Sequence, residues 1–389
     1  MTTRPVPPET TPDLLYSEAE DDLRAAVRSL LTGRADAAAR PAALDRAESG
    51  DPYDPALWTA LTTGIGAAGL LVPETLGGQG ASHREAAVVL EELGRAVTAA
   101  PYLTSAVLAT ETLLGCDGRS TESTDVAGLL TALASGHRTA VLALPFTTAP
   151  DARLPFGGAA GPENPEGAGE VTVRAVADAV RADALLVPRA DGLYAVDTTD
   201  PGVTVTPLTP LDLTRPLATV TVAAGSGVLI ADAATGDAAV RRGLLAGAGL
   251  LASEQLGLAE RCLELTVQHT RERHQFNRPV GSFQALKHRM AQLWLETVSA
   301  RAAARNAADA LATGDPGAPL AVAVAQAYCA RVAVHAAEEC VQLHGGIGMT
   351  WEHPAHLYLK RAKSAESALG SPGAHRDRLA VLAGLPAPG

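Results

Sequence analysis

Apolar positions along this chain change their period twice. Up to about residue 137 they recur every three to four residues, as an amphipathic helix requires. Leu23, Val27, Leu30 and Leu31 share one face, and Ser17 followed by Glu18 and Glu20 reads as an N-cap with an acidic first turn. Further helices are expected around 55–66, 82–95 and 104–114. Between about 139 and 231 the pattern alternates instead. TAVLAL, VTVRAV, ALLVPR, LYAVD, VTVTPL and ATVTV are short runs of β-branched residues parted by Pro, Gly and Asp, the spacing of a compact antiparallel sheet domain.

From Gly236 onward the helical period returns. One helix is expected over 237–270, with Leu244, Leu251, Leu258, Cys262 and Leu265 on its apolar rows, and a second over 282–311, with Phe283, Leu286, Met290 and Leu293 in register. At 1.5 Å per residue the second is a rod of about 45 Å. The Gly-Asp-Pro-Gly turn at 314–317 stops it, and a third helix climbs to Leu343. Long helices, short loops and Ala-rich faces such as ARAAARNAADA describe an antiparallel four-helix bundle. The fold expected is mainly α with a β middle domain: an α-helical domain over 1–137, a small antiparallel β domain over 138–234 and the bundle over 235–389. The Pro- and Thr-rich first twelve residues read as mobile, and 150–169, rich in Gly, Ala and Pro, as a loop or shortened hairpin.

Charge narrows the partners. With 31 basic against 43 acidic residues the net charge is −12, and the basic residues are scattered, so nucleic acid and anionic membrane are excluded as expected partners. The N-terminus carries no apolar leader and no run is expected to span a bilayer, which gives a cytoplasmic expectation. Cys116, Cys262, Cys329 and Cys340 are far apart and read as buried thiols in a reducing compartment. No His or Cys cluster has metal spacing.

Two stretches interrupt the bundle's periodicity. RERHQFNRPVGSFQALK (271–287) supplies Arg271 and Arg273, planar cationic forks suited to a diphosphate, and Phe276 as an apolar plate. VQLHGGIGMTWEHP (341–354) supplies Gly345, Gly346 and Gly348, which let a flat or anionic group approach the main chain. A phosphate-bearing cofactor suits both.

The order R-x-x-F-x-x-P-V-G-S-F-Q, a long helix, then Q-L-H-G-G-x-G resembles the C-terminal domain of the acyl-CoA dehydrogenases. LLVPETLGGQGASHREAAVVLEELGRA (70–96) resembles that family's N-terminal domain. The resemblance implies FAD, with Arg273, Gln275, Phe276 and Gln284 meeting its diphosphate and adenosine parts and Gln342, Gly345 and Gly346 completing the pocket, across a subunit boundary. It implies an acyl thioester substrate carried on CoA or a carrier protein, an electron-transfer-flavoprotein-like acceptor, and a homo- or hetero-oligomer, dimer or tetramer. PETLGGQG (73–80) is either a plain connection or an approach to the acyl or pantetheine chain.

The middle departs from the family. Where relatives carry T-E-P-x-A-G-S-D and K-x-W-I-T-N-G, this chain has LALPFTTAPDA and VRAVADAVRADA. Thr147 and Thr148 can offer hydroxyls to the flavin ring, and loop threonines without a role fit equally. The carboxylate that removes the α-proton in most relatives aligns with Leu369, and the minority position with Gly247. Glu366 and Glu254 are the candidate substitute bases, Glu366 on the expectation that it shares a helical face with Leu369, and for each a solvated or structural carboxylate is the reading that weighs more; Glu352, Asp237 and Glu260 have less to recommend them. Two functions follow: an FAD-dependent acyl-CoA or acyl-carrier-protein dehydrogenase with a displaced base, or a non-catalytic subunit completing the cofactor site of a heteromer.

Overall fold

The computed structural model describes residues 13–34, 52–116, 123–156 and 169–385. The first twelve residues and most of the Gly-, Ala- and Pro-rich stretch lie outside that set. Helix α1 (Glu18–Arg34) starts as expected: the Glu20 N–H donates to the Ser17 hydroxyl at 3.2 Å, and the Glu20 carboxylate accepts from the Ser17 N–H at 2.7 Å. The same reciprocal cap, Ser82 with Glu85, opens α3 (His83–Ala96). Between them lies α2 (Pro55–Thr59). After α3, Tyr102–Ala109 winds in wide turns whose closing bond runs from Thr110 N–H to Ser105 O, then narrows into α4 (Thr110–Gly115). Helix α5 (Ser123–Ala134) ends this part.

The alternating region forms two sheets rather than one. β1 (Ala140–Leu142), β3 (Ala184–Arg189), β4 (Gly192–Asp197) and β7 (Val228–Asp232) make one, in the order β1-β3-β4-β7; β2 (Val171–Ala177), β6 (Leu217–Val222) and β5 (Val203–Leu208) make the other, in the order β2-β6-β5. All pairings are antiparallel except β1 with β3, which is parallel. β3 is buried along its whole length because both its faces are covered. Leu185 and Val187 point into the core between the sheets with Val176, Val196 and Val220, while Ala184 and Leu186 point into the helical core.

β7 runs directly into the 40-residue helix α6 (Ala233–Glu272), whose N-cap is Asp232. Then come α7 (Gln284–Thr313), α8 (Ala318–His344), α9 (Ala355–Ser367) and α10 (Pro372–Leu382). Helices α3 and α6 cross at backbone contact: a Cβ on Gly257 would overlap the carbonyl of Glu91, and one on Gly94 the carbonyl of Glu254. Only glycine permits that approach. By length and composition the segment Ala318–Met349 could cross a bilayer, contrary to the sequence expectation, but 67% of its apolar window is buried inside the protein. All four cysteines are free and buried. On α7, Trp294, Leu295 and Val298 form an exposed apolar stripe.

Candidate functional site

The break after α6 is a tight hairpin. β8 (His274–Gln275) pairs with β9 (Arg278–Pro279), and the two residues between them, Phe276 and Asn277, both adopt positive φ, 52° and 60°. Two left-handed residues in a two-residue turn match the twist of the flanking strands. The strained conformation lifts Phe276 out of the surface, 86% exposed, edge-on to Phe283. Phe283 in turn carries the Arg278 guanidinium on its ring face at 4.0 Å. Arg271, Arg273, Gln275 and Gln284 surround it, all exposed, and neither Arg271 nor Arg273 forms an ion pair among the described residues.

The second break lies beside the first: His269 on α6 and His344 at the end of α8 stack with ring centroids 4.3 Å apart. A Cβ on Gly345 or Gly346 would meet open space, and Gln342 is exposed on the preceding turn. The donor set is arginine, amide and main chain around an apolar plate, which suits a dinucleotide. The Ser282 hydroxyl, in the turn that follows the hairpin, is buried with no hydrogen-bond partner among the described residues, and a buried orphan of this kind asks for a ligand or water. The residues present therefore fit the dinucleotide part of FAD. Ser282 stands in the G-S-F-Q run, yet nothing in the sequence marks its hydroxyl as orphaned.

The corner expected to carry the base is apolar. Leu369 is 2% exposed, with φ 53°, and Gly370 follows with φ 103°. The corner hangs between two elements: the Leu369 N–H donates to the carbonyl of Phe146 at 2.8 Å, and Nε2 of His375 donates to the Leu369 carbonyl at 3.0 Å. Phe146 is itself held by its N–H on the carbonyl of Ala175, at an irregularity in β2 where Ala175 has φ 61°. His375 is buried, and burial lowers its pKa in spite of the Leu369 carbonyl.

Neither substitute carboxylate reaches that corner. Helix α9 ends at Ser367, and Ala368 is already extended with ψ 139°, so the helical spacing that was to bring Glu366 beside Leu369 no longer applies. Glu366 is partly exposed, with Lys363 Nζ at 3.6 Å. Glu254 is enclosed. Arg215 Nη2 lies 2.6 Å from its Oε2 and Arg361 Nε 2.8 Å from its Oε1, and Arg361 also reaches Asp212 at 3.3 Å. Burial pushes the Glu254 carboxyl up, and the two guanidiniums more than reverse the shift, leaving it below the ordinary range. A carboxylate with depressed pKa and both oxygens engaged is a structural anion, not a base poised near neutrality. Asp237 pairs with Arg241, Glu260 with Arg95 and Arg301, and Glu352 is exposed.

Beside the corner opens a cleft of about 540 Å³, lined among others by Thr147, Thr148, Arg153, Ser367 and Ser371. The Thr148 hydroxyl donates to its own loop, to Pro145 O at 2.7 Å, while Thr147 is exposed at the rim. The cleft and the hairpin are separate features of the chain.

Residues 235–381 match the acyl-CoA dehydrogenase C-terminal domain and residues 17–116 the N-terminal domain. The chain is 36% identical over 363 residues to acyl-CoA dehydrogenase IpdE2 of Mycolicibacterium smegmatis, covering 93% of this chain and 98% of that one. Among solved structures it is similar to a chain of the ChsE4-ChsE5 complex from Mycobacterium tuberculosis, at TM-score 0.81 and 29% identity over 96% of this chain and all of that one. It is also similar to a variant of the Tcur3481-Tcur3483 steroid ACAD, at TM-score 0.79 and 27% identity over 94% and 98%.

Proposed function

The chain belongs to the acyl-CoA dehydrogenase family, and within it we propose that it is the cofactor-completing subunit of a heteromeric acyl-CoA dehydrogenase, lending its hairpin and glycine turn to an FAD whose ring sits in a partner chain. The observation that carries this reading is the apolar corner. Leu369 and Gly247 occupy both positions expected of the base, and neither can accept a proton, whereas the dinucleotide grip is intact and faces outward. FAD, when bound, supplies the hydride acceptor for desaturation of the acyl thioester.

This chain's part is to bind. Arg271 and Arg273 neutralise the diphosphate, Ser282 and Gln284 offer hydrogen bonds, Gln275 and Gln342 flank the adenosine end, and Phe276 covers an apolar face. Gly345 and Gly346 admit the ligand to the main chain. The α-proton is then removed by a carboxylate on the partner. The two-chain names of the solved relatives support a heteromer, and the steroid enzyme among them makes a steroid-derived acyl thioester the first substrate to try.

The second reading, a dehydrogenase active by itself, is favoured by the cleft at Thr147 and Thr148, where a flavin ring would rest in a self-sufficient chain. Expression alone and with a homologous chain bearing the missing carboxylate separates the two. The subunit reading expects a colourless protein alone and a yellow, thioester-reducible complex on co-expression. A yellow preparation of the single chain that bleaches anaerobically with an acyl-CoA establishes the second reading instead.

A further inference from the structure

The end of the molecule that grips the dinucleotide carries more positive charge than the grip uses. Arg271, Arg273, Arg278 and Lys287 are all exposed, and none forms an ion pair among the described residues. Glu272 is the one acid of that stretch, and its carboxylate accepts from the Gln268 amide at 3.0 Å. The excess is local, since the whole chain has a net charge of −12. Arg271 and Arg273 meet the diphosphate as argued above, which leaves Arg278 and Lys287 over. Phe283 holds these two together at the foot of the hairpin: its ring carries the Arg278 guanidinium at 4.0 Å, and its carbonyl accepts from the Lys287 N–H at 3.1 Å.

The glycine turn beside them ends in an apolar surface. Met349 is 77% exposed and Trp351 62%, and Lys360 Nζ lies over the Trp351 ring at 4.0 Å. Large exposed apolar side chains rimmed by charge are the anatomy of a protein contact. Resting on the cofactor-completing role argued above, we infer that Met349 and Trp351, with Arg278 and Lys287 at their rim, are the docking surface for the flavin-bearing partner, and that this partner is a homologous chain presenting carboxylates there, not a second copy of this chain.

Charge decides between the two occupants. In a second copy the flavin ring would rest in the cleft at Thr147 and Thr148, so the surplus cations of one copy would meet the cleft rim of the other. That rim is itself cationic. Arg153 lines the cleft and has no ion pair among the described residues, and Asp151, the acid of the same loop, already faces Arg378 at 3.8 Å. The loop is pinned by Arg241, whose Nη1 donates to the carbonyls of Pro150 and Ala152, each at 3.1 Å. Two cationic surfaces brought together repel, and like charges across an interface reject the wrong partner. A homologue with acids in place of Arg153 satisfies Arg278 and Lys287 and leaves Met349 and Trp351 to pack.

The test uses the complex with the homologous chain that gives a yellow preparation on co-expression. Its dissociation constant is measured by sedimentation velocity at low and high NaCl, and its flavin content by absorbance after gel filtration. The parent complex is expected to be about tenfold weaker at high salt, where exposed charges are screened. The double variant Arg278→Gln with Lys287→Gln should weaken it about tenfold at low salt and flatten the salt dependence, with the flavin content unchanged. Trp351→Ser should weaken it about thirtyfold at both salts, as a contact anchor does, and leave the salt dependence as in the parent. A yellow complex indifferent to either set of substitutions overturns the inference alone. So does a double variant that sheds flavin while the chains stay together, which would assign the two cations to the grip. Self-association of this chain by itself should be no weaker in the double variant than in the parent; a weaker one makes a second copy the occupant and overturns the inference too. A homologue that never gives a yellow complex sinks the subunit reading and this surface with it.

Discussion

Gly247 on α6 and Leu369 in the corner after α9 face one another so closely that a Cβ on Gly247 would stand 3.2 Å from Leu369 Cδ1 and overlap Leu108 Cδ2. The two positions from which the α-proton could have been taken are packed against each other as core.

Restoring a carboxylate there should therefore damage the fold rather than confer activity. Leu369→Glu places a carboxyl in a buried apolar site; a pKa raised by about 3 units costs about 4 kcal/mol at neutral pH. Urea unfolding at pH 7 should register that loss, and the variant expressed by itself should not reduce flavin. A variant as stable as the parent would show that the corner opens to water.

Glu254→Gln and Glu366→Gln should differ sharply. The first removes the anion between Arg215 and Arg361 and should cost about 3–5 kcal/mol, the range for breaking a buried pair. The second touches a partly exposed side chain and should stay within about 0.5 kcal/mol. Equal unfolding midpoints would contradict the enclosed position of Glu254.

Acid should expose the same network. Because the folded pKa of Glu254 is depressed, its stabilising contribution is complete above the ordinary value of 4.5 and disappears as pH falls through the lower folded value. Midpoints measured between pH 7 and pH 3 should drop in the parent and drop less steeply in Glu254→Gln.

Arg273→Ala should weaken FAD retention by about 1.5–3 kcal/mol, or about 10- to 150-fold in dissociation constant, the range for a charged hydrogen-bonding partner. Equilibrium dialysis of the assembled protein measures it directly.

Trp294 stands 60% exposed in the apolar stripe of α7, an arrangement that marks a contact surface. Trp294→Ala should weaken assembly about thirtyfold, the equivalent of a hot-spot side chain of about 2 kcal/mol. Light scattering over a dilution series would show the shift, and an unchanged assembly would place the contact elsewhere.

Much of this was legible in the sequence because the signals are local. Ser17 with Glu20 announces α1, and the leucine spacing announces α6. The parallel pairing of β1 with β3 was not legible: three residues carry no direction, and β2 lies between them in the chain but in the other sheet. Glu366 was misplaced by extending a helix through Ser367, although Gly370 and Pro372 were there to end it. A structural role for Glu254 was one of the readings open in the sequence, but its partners were not legible, since Arg215 and Arg361 lie 39 and 107 residues away. The elbow was recognised by its residues and not by its shape, because Phe-Asn is not a pair that advertises a two-residue turn.

The bare crossing of α3 and α6 ties distant parts of the molecule together. The carbonyl that Gly94 leans on belongs to Glu254, whose side chain holds one arginine from the turn between β5 and β6 and another from α9. A single methyl group added at position 94 would push on the main chain of the residue at the centre of that cluster, and a substitution in the first helical layer would be felt where α9 meets the sheets.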